Sequence, residues 1–177
     1  MKIFTIPNLV CYLRVVFCFF SICFFQVNQN QNVFLILVLI VMLMDALDGY
    51  LARKLNQCSV FGAKLDVYSD RIVELSYWLY FALIHRIGFW VFVVFLVRGL
   101  IVDYITMQTE TPLGDSWLRS SRFMRFMMGL AKILSFVFLI LYPSSYITFI
   151  VVCLAVLTNL LRGLPVIYDL LKRSYNK

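Results

Sequence analysis

At 177 residues, 63% hydrophobic and 14% charged, the chain carries too little charge for a soluble domain, where charged residues make up about 25%. Its 16 Lys and Arg against 9 Asp and Glu give a net charge of +7, but no basic stripe sits on a soluble module. That excludes a nucleic-acid binder and points to an integral membrane protein whose cytoplasmic ends face anionic lipid.

The opening run, from Lys2 through Gln26, superficially resembles a secretion signal. No small-x-small cleavage site follows it, and Arg14 interrupts it, so the expectation is a first membrane span over Leu9–Val27 with Pro7 near its first turn. The uncharged polar segment 28–32 reads as a turn. A second span begins near Val33, and about 20 residues at about 1.5 Å each bring Arg53 and Lys54 to the far surface. A short polar link follows, then a third span over Phe61–Leu83 and a turn at His85-Arg86-Ile87-Gly88. Further spans are expected over Phe89–Met107, Phe123–Tyr142 and Tyr146–Leu164, with a polar loop at 108–121 and a turn at Pro143-Ser144-Ser145. The last span runs on as a surface helix to Lys172-Arg173.

Positive residues cluster at one set of helix ends: Lys2, Arg53, Lys54, Lys64, Arg119, Arg122, Lys172, Arg173 and Lys177, against only His85 and Arg86 opposite. Both termini are therefore expected in the cytoplasm. The expected fold is all-α: one domain over 1–177, a bundle of about six transmembrane helices, multi-pass, with any polar site on the cytoplasmic side. The cysteines, Cys11, Cys18, Cys23, Cys58 and Cys153, form no CxxC pair and read as small hydrophobes. The 17 Phe and 7 Met read as packing or lipid-facing residues.

Against this background stand Asp45, Asp48, Asp66 and Asp70, all near the cytoplasmic ends of the second and third spans. The first pair is spaced i, i+3 and the second i, i+4, so each shares one helix face. The short link makes the two helices antiparallel neighbours whose acidic faces are expected to meet. Carboxylates clustered without a cation repel and protonate, whereas oxygen-only ligands at this density suit a hard cation such as Mg²⁺ or Mn²⁺. Two such ions would clamp a pyrophosphate, and Arg53, one turn on, would reach a phosphate oxygen. Gly49, Ala52 and Gly62 on the same faces permit close helix approach or let a flat ligand reach the backbone. The plainer alternative pairs the acids with Arg53, Lys54, Lys64 and Arg71, and Glu74 is expected in an ion pair.

The order D-x2-D-G-x2-A-R-x8-G-x3-D-x3-D, formed by Asp45, Asp48, Gly49, Ala52, Arg53, Gly62, Asp66 and Asp70, resembles the signature of the CDP-alcohol phosphotransferase family. Pro7-Asn8 and Arg14 resemble the opening of its phosphatidyl-transferring members. The resemblance implies transfer of a phosphatidyl group from CDP-diacylglycerol to a small polar alcohol, with release of CMP. It implies two metal ions on Asp45, Asp48, Asp66 and Asp70, with Asp70 also taking the acceptor's proton. It further implies a CDP site at Asp48, Gly49, Ala52, Arg53, Gly62 and Asp66, and a homodimer in the lipid bilayer.

The acceptor is read from the edges. Leu55-Asn56-Gln57 and the Asp70-Arg71 ending resemble phosphatidylinositol synthases. Arg98 and Gly129-x2-Lys132 resemble the acceptor-phosphate elements of enzymes that use glycerol 3-phosphate. Arg98, Arg125 and Lys132 would form a cationic pocket for an anionic acceptor, although Arg119, Arg122 and Arg125 would equally suit lipid headgroups. Glycerol 3-phosphate is therefore expected first, with inositol or an inositol phosphate as the alternative. A cation transporter would place its carboxylates near the bilayer midplane in broken helices, which this pattern does not do. A family member that has lost activity is disfavoured by the intact motif.

Overall fold

The computed structural model describes residues 6–54, 60–108 and 122–175; within these, the side chains of 6–7, 46, 48–53, 60, 63, 103–108, 122–126, 162 and 164–175 lie outside the description. The described residues form six helices: α1 (Ile6–Asn28), α2 (Gln31–Lys54), α3 (Val60–Leu83), α4 (Phe89–Gln108), α5 (Arg122–Leu141) and α6 (Tyr146–Tyr175). They divide into two compact units, residues 1–85 and 86–177. The expected turn at 28–32 shrinks to two residues, because α1 keeps Asn28 and α2 already begins at Gln31. Gln29 ends α1 in the left-handed region at φ 53°, and Asn30 Oδ1 accepts the Val33 N–H at 3.3 Å, capping α2. The expected loop at 108–121 and the link after Lys54 lie almost wholly outside the described residues.

The helices contain 20 to 30 residues, long enough at about 1.5 Å per residue for a hydrocarbon core of about 30 Å. Among the described residues only Asn8–Asn28 is both long and apolar enough to cross a membrane, while α2, α4, α5 and α6 carry apolar stretches of 10–17 residues. In α3 the charges of Lys64, Asp66, Asp70 and Arg71 occupy the first turns. Large apolar side chains nevertheless line the outward faces, among them Val16, Phe19 and Phe20 on α1 and Ile147, Phe149 and Ile150 on α6. Apolar rows this extensive mark faces that meet a protein or lipid partner.

In the first unit α1 packs against both α2 and α3. Its buried stripe is Cys11, Arg14, Cys18, Ser21 and Phe25, spaced alternately three and four apart. The matching stripes are Phe34, Val38 and Val41 on α2, and Ser69, Val73, Tyr77 and Tyr80 on α3. At one end the stripes meet in an aromatic cluster: Phe25 stacks on Phe34 at 4.5 Å, and Phe34 meets Tyr77, Tyr80 and Phe81 edge-on. The phenol oxygens are satisfied inside the cluster, Tyr77 with Ser21 Oγ at 2.9 Å and Tyr80 donating to Gln26 Oε1 at 3.2 Å. Phe34 is wholly buried at the centre of this cluster. Phe34→Ala is expected to destabilise the unit by about 3 kcal/mol, read as a shift in the unfolding midpoint of the detergent-solubilised protein.

In the second unit α6 packs against both α4 and α5. Ser135 Oγ donates to the carbonyls of Ala131 and Val151, at 2.8 and 3.3 Å. The turn after α3 places His85 in the left-handed region at φ 57°. Arg86 Nη1 then donates to the carbonyls of Leu139 and Ile140, at 2.6 and 3.2 Å. A cation there satisfies the last carbonyls of α5 and complements the negative end of its dipole. Ser145 Oγ accepts the Ile147 N–H at 3.3 Å at the start of α6.

Candidate active site

The stripe that packs α2 against α1 runs Phe34, Val38, Val41 and, four residues on, Asp45. The stripe of α3 likewise leads back from Tyr77 through Val73 and Ser69 to Asp66. The register that buries the apolar residues thus carries these two aspartates toward α1. There they meet Arg14, which is only 1% exposed.

Arg14 Nη1 pairs with Asp45 Oδ1. Its Nη2 donates to Ser69 Oγ at 2.6 Å and lies 3.4 Å from both Oδ1 and the carbonyl oxygen of Asp66. Ser69 Oγ in turn donates to the Asp66 carbonyl at 3.0 Å. The side chains of Asp45 and Asp66 remain 49% and 48% exposed. A guanidinium from α1 thus bridges one carboxylate of α2 and one of α3. Two carboxylates brought this close need a positive charge, and α1 supplies it.

Asp70 lies one turn along α3 from Asp66 and is half-buried, as is Gly62 one turn before it. Asp48, Gly49, Ala52 and Arg53 lie on α2, but their side chains are outside the described residues. Arg71 pairs with Glu74 at 3.2 Å, so Glu74 is the ion-pair partner expected of it. Asp45 and Asp66 pair with Arg14, and the Arg53 side chain of the plainer alternative lies outside the described residues.

Among the described residues no group of three or more His, Cys, Asp and Glu side chains is arranged to hold a metal ion. The carboxylate of Asp48 is not among them. The donor set still fits a hard divalent cation: it is all oxygen, and two half-exposed carboxylates already converge on one positive group.

Of the expected acceptor residues, Arg98 is buried on α4 at 9% exposure, and Lys132 is half-buried on α5. Arg125 lies on the first turns of α5 with its side chain outside the described residues. A Cβ on Gly163 would lie 3.4 Å from Arg98 Cγ and Nε, so the stem of Arg98 packs closely against this glycine. Beside it runs an apolar groove of about 580 Å³, lined by Val94, Val97, Ile101, Leu157 and Leu161.

The sequence matches the family model for CDP-alcohol phosphatidyltransferase over residues 4–161. The chain belongs to the CDP-alcohol phosphatidyltransferase family. That match runs through residues of both units and spans the positions of the aspartate pattern. The chain is 34% identical over 113 residues to a CDP-diacylglycerol–inositol 3-phosphatidyltransferase of Arabidopsis thaliana, covering 63% of this chain and 48% of that enzyme. It is 39% identical over 80 residues to the Candida albicans enzyme of the same name, covering 45% of this chain and 34% of that one. It is 28% identical over 152 residues to a CDP-diacylglycerol–glycerol-3-phosphate 3-phosphatidyltransferase of Wigglesworthia glossinidia brevipalpis, covering 82% of this chain and 81% of that one. The chain thus spans half or less of the length of the curated inositol relatives it matches.

Arg14 and Ser69 meet the aspartates of the pattern, and motif reading left both without a role there. The signal was present in spacing. Arg14 stands in register with Cys11, Cys18, Ser21 and Phe25, and a charge kept on the packing stripe of an apolar helix needs a partner inside the bundle.

Proposed function

We propose that the protein transfers the phosphatidyl group of CDP-diacylglycerol to the hydroxyl of glycerol 3-phosphate, releasing CMP. The observation that carries this reading is the complete aspartate pattern of the family, laid on α2 and α3 with Asp45 and Asp66 drawn together at α1. In the transfer, the acceptor oxygen bonds to the phosphorus that bears diacylglycerol, and the bond from that phosphorus to the CMP oxygen breaks. Asp70 takes the hydroxyl proton as the new bond forms. Asp45, Asp48, Asp66 and Asp70 hold two Mg²⁺ or Mn²⁺ ions, whose chemistry is to neutralise the pyrophosphate and the charge gathering on departing CMP. Asp48, Gly49, Ala52, Arg53, Gly62 and Asp66 bind the CDP portion, the small residues letting it approach the helix backbone.

Glycerol 3-phosphate is favoured because the glycerophosphate enzyme of Wigglesworthia aligns over most of both chains. On this reading Arg98, Arg125 and Lys132 supply the cations that a phosphate-bearing acceptor requires. A second reading, with inositol or an inositol phosphate as acceptor, is favoured by the Asp70-Arg71 ending and by the higher identity of the inositol enzymes over shorter stretches. We place the protein in a bilayer as a multi-pass homodimer, with both termini and the acidic helix ends on the cytoplasmic side. The exposed apolar rows and the distribution of Lys and Arg support that placement.

The deciding experiment follows CMP release from CDP-diacylglycerol with Mg²⁺ or Mn²⁺, across glycerol 3-phosphate, inositol, inositol phosphate, serine and choline. Release with glycerol 3-phosphate at least tenfold faster than with any other acceptor is expected. A preference for inositol selects the second reading. No release with any acceptor sinks the transferase, and Mn²⁺ flux into proteoliposomes without CDP-lipid would put a transporter in its place.

A further inference from the structure

Arg14 takes no part in the bond changes described above, yet it is among the most deeply buried charged groups of the first unit. A guanidinium so far from water is costly unless its charge and donors are met. Groups on two other helices meet its charge, and they divide its two terminal nitrogens. Nη1 takes Asp45 of α2; Nη2 takes Ser69 and Asp66 of α3. Ser69 is fixed in turn, because its own proton goes to the Asp66 carbonyl. The planar fork therefore sets the separation and the rotation of two carboxylates that belong to different helices, which a single ammonium does not do. It engages each through Oδ1, and about half of each side chain stays open to solvent, at 49% and 48% exposure.

We infer that Arg14 is a positioning residue for divalent-cation binding: it orients the Asp45 and Asp66 carboxylates from behind and ties the acidic ends of α2 and α3 to α1, with Ser69 as its anchor. The inference rests on the two-metal reading. Groups that orient metal ligands from outside the coordination sphere are typically worth about 10–100-fold in metal affinity or activity. The opposite role is physically distinct. A guanidinium that merely occupied the cation's place would compete with it, and its removal would tighten metal binding.

The full-length protein in detergent is titrated with Mn²⁺ in the presence of CMP, free Mn²⁺ being read by its electron paramagnetic resonance signal and helix content by circular dichroism. Arg14→Met, which keeps the apolar stem and removes the fork, is expected to weaken Mn²⁺ binding about 10–100-fold with helix content unchanged. Arg14→Lys restores little of this. Ser69→Ala keeps the charge and removes the anchor, and is expected to weaken binding about fivefold, the worth of one hydrogen bond. Unchanged or tighter binding in folded Arg14→Met overturns the inference. Should Arg14→Met fail to fold, unchanged binding in Ser69→Ala overturns it instead. Absence of Mn²⁺ binding by the unmodified protein overturns the metal reading and this inference together, whereas normal binding that both variants leave untouched overturns this inference alone.

Discussion

Asp70→Asn is expected to lower CMP release by about 10²–10⁴-fold, the usual worth of a positioned general base, while leaving the protein as abundant and as helical as before. The exchange is nearly isosteric, so it removes the proton acceptor without changing the shape of the first turns of α3. Asp70 is half-buried and lies one turn from Asp66, close enough in register to serve an acceptor held at the same helix end. Because the carboxylate is also proposed to ligate metal, the loss should sit toward the upper part of that range. Mn²⁺ titration separates the two contributions: a variant that binds Mn²⁺ within a few-fold of normal but does not turn over has lost the base. Turnover at the normal rate would remove Asp70 from the chemistry.

The second large effect concerns stability. The double variant Asp45→Asn with Asp66→Asn takes two negative charges from Arg14, which is 1% exposed. Stranding a buried charge in this way costs about 3–5 kcal/mol, and the half-exposure of the two carboxylates puts the expectation near the lower figure, about 3 kcal/mol. Adding Arg14→Met should return most of that stability, since an apolar side chain of similar length makes no demand for a counter-charge. The three substitutions therefore should not add. Strict additivity across the cycle, measured as unfolding midpoints in detergent, would mean that the Arg14 pairs contribute nothing.

All six helices were legible in the sequence to within a few residues, because long apolar runs broken by short polar turns leave the chain few choices. Ser145 at the start of α6 and the polar break around Gln29 and Asn30 mark ends that composition already indicates. What the pattern could not supply was the part α1 plays. The short link after Lys54 suggested that the acidic faces of α2 and α3 converge, and only the packing of α1 against both adds Arg14 as a partner of Asp45 and Asp66. Helical spacing reports which residues share a face but not what that face meets. The aspartate motif was legible as chemistry because carboxylates in apolar helices are costly unless a cation meets them. The acceptor side was not, since Arg98, Arg125 and Lys132 are single cations whose spacing suits a phosphate or a lipid headgroup equally.

Arg14 also bears on how the molecule is made. It lies in the first half of α1, a helix long and apolar enough to cross a membrane, and an arginine in an inserting helix costs up to about 2.5–3.5 kcal/mol, the figure for the helix centre. Its counter-charges, Asp45 and Asp66, are encoded 31 and 52 residues later. During synthesis from the N-terminus, α1 is therefore without them until α2 and α3 have emerged, and in the proposed bilayer the three helices would gain by settling as a group. The residue that assembles the acidic ends thus makes the first helix a dependent of the next two.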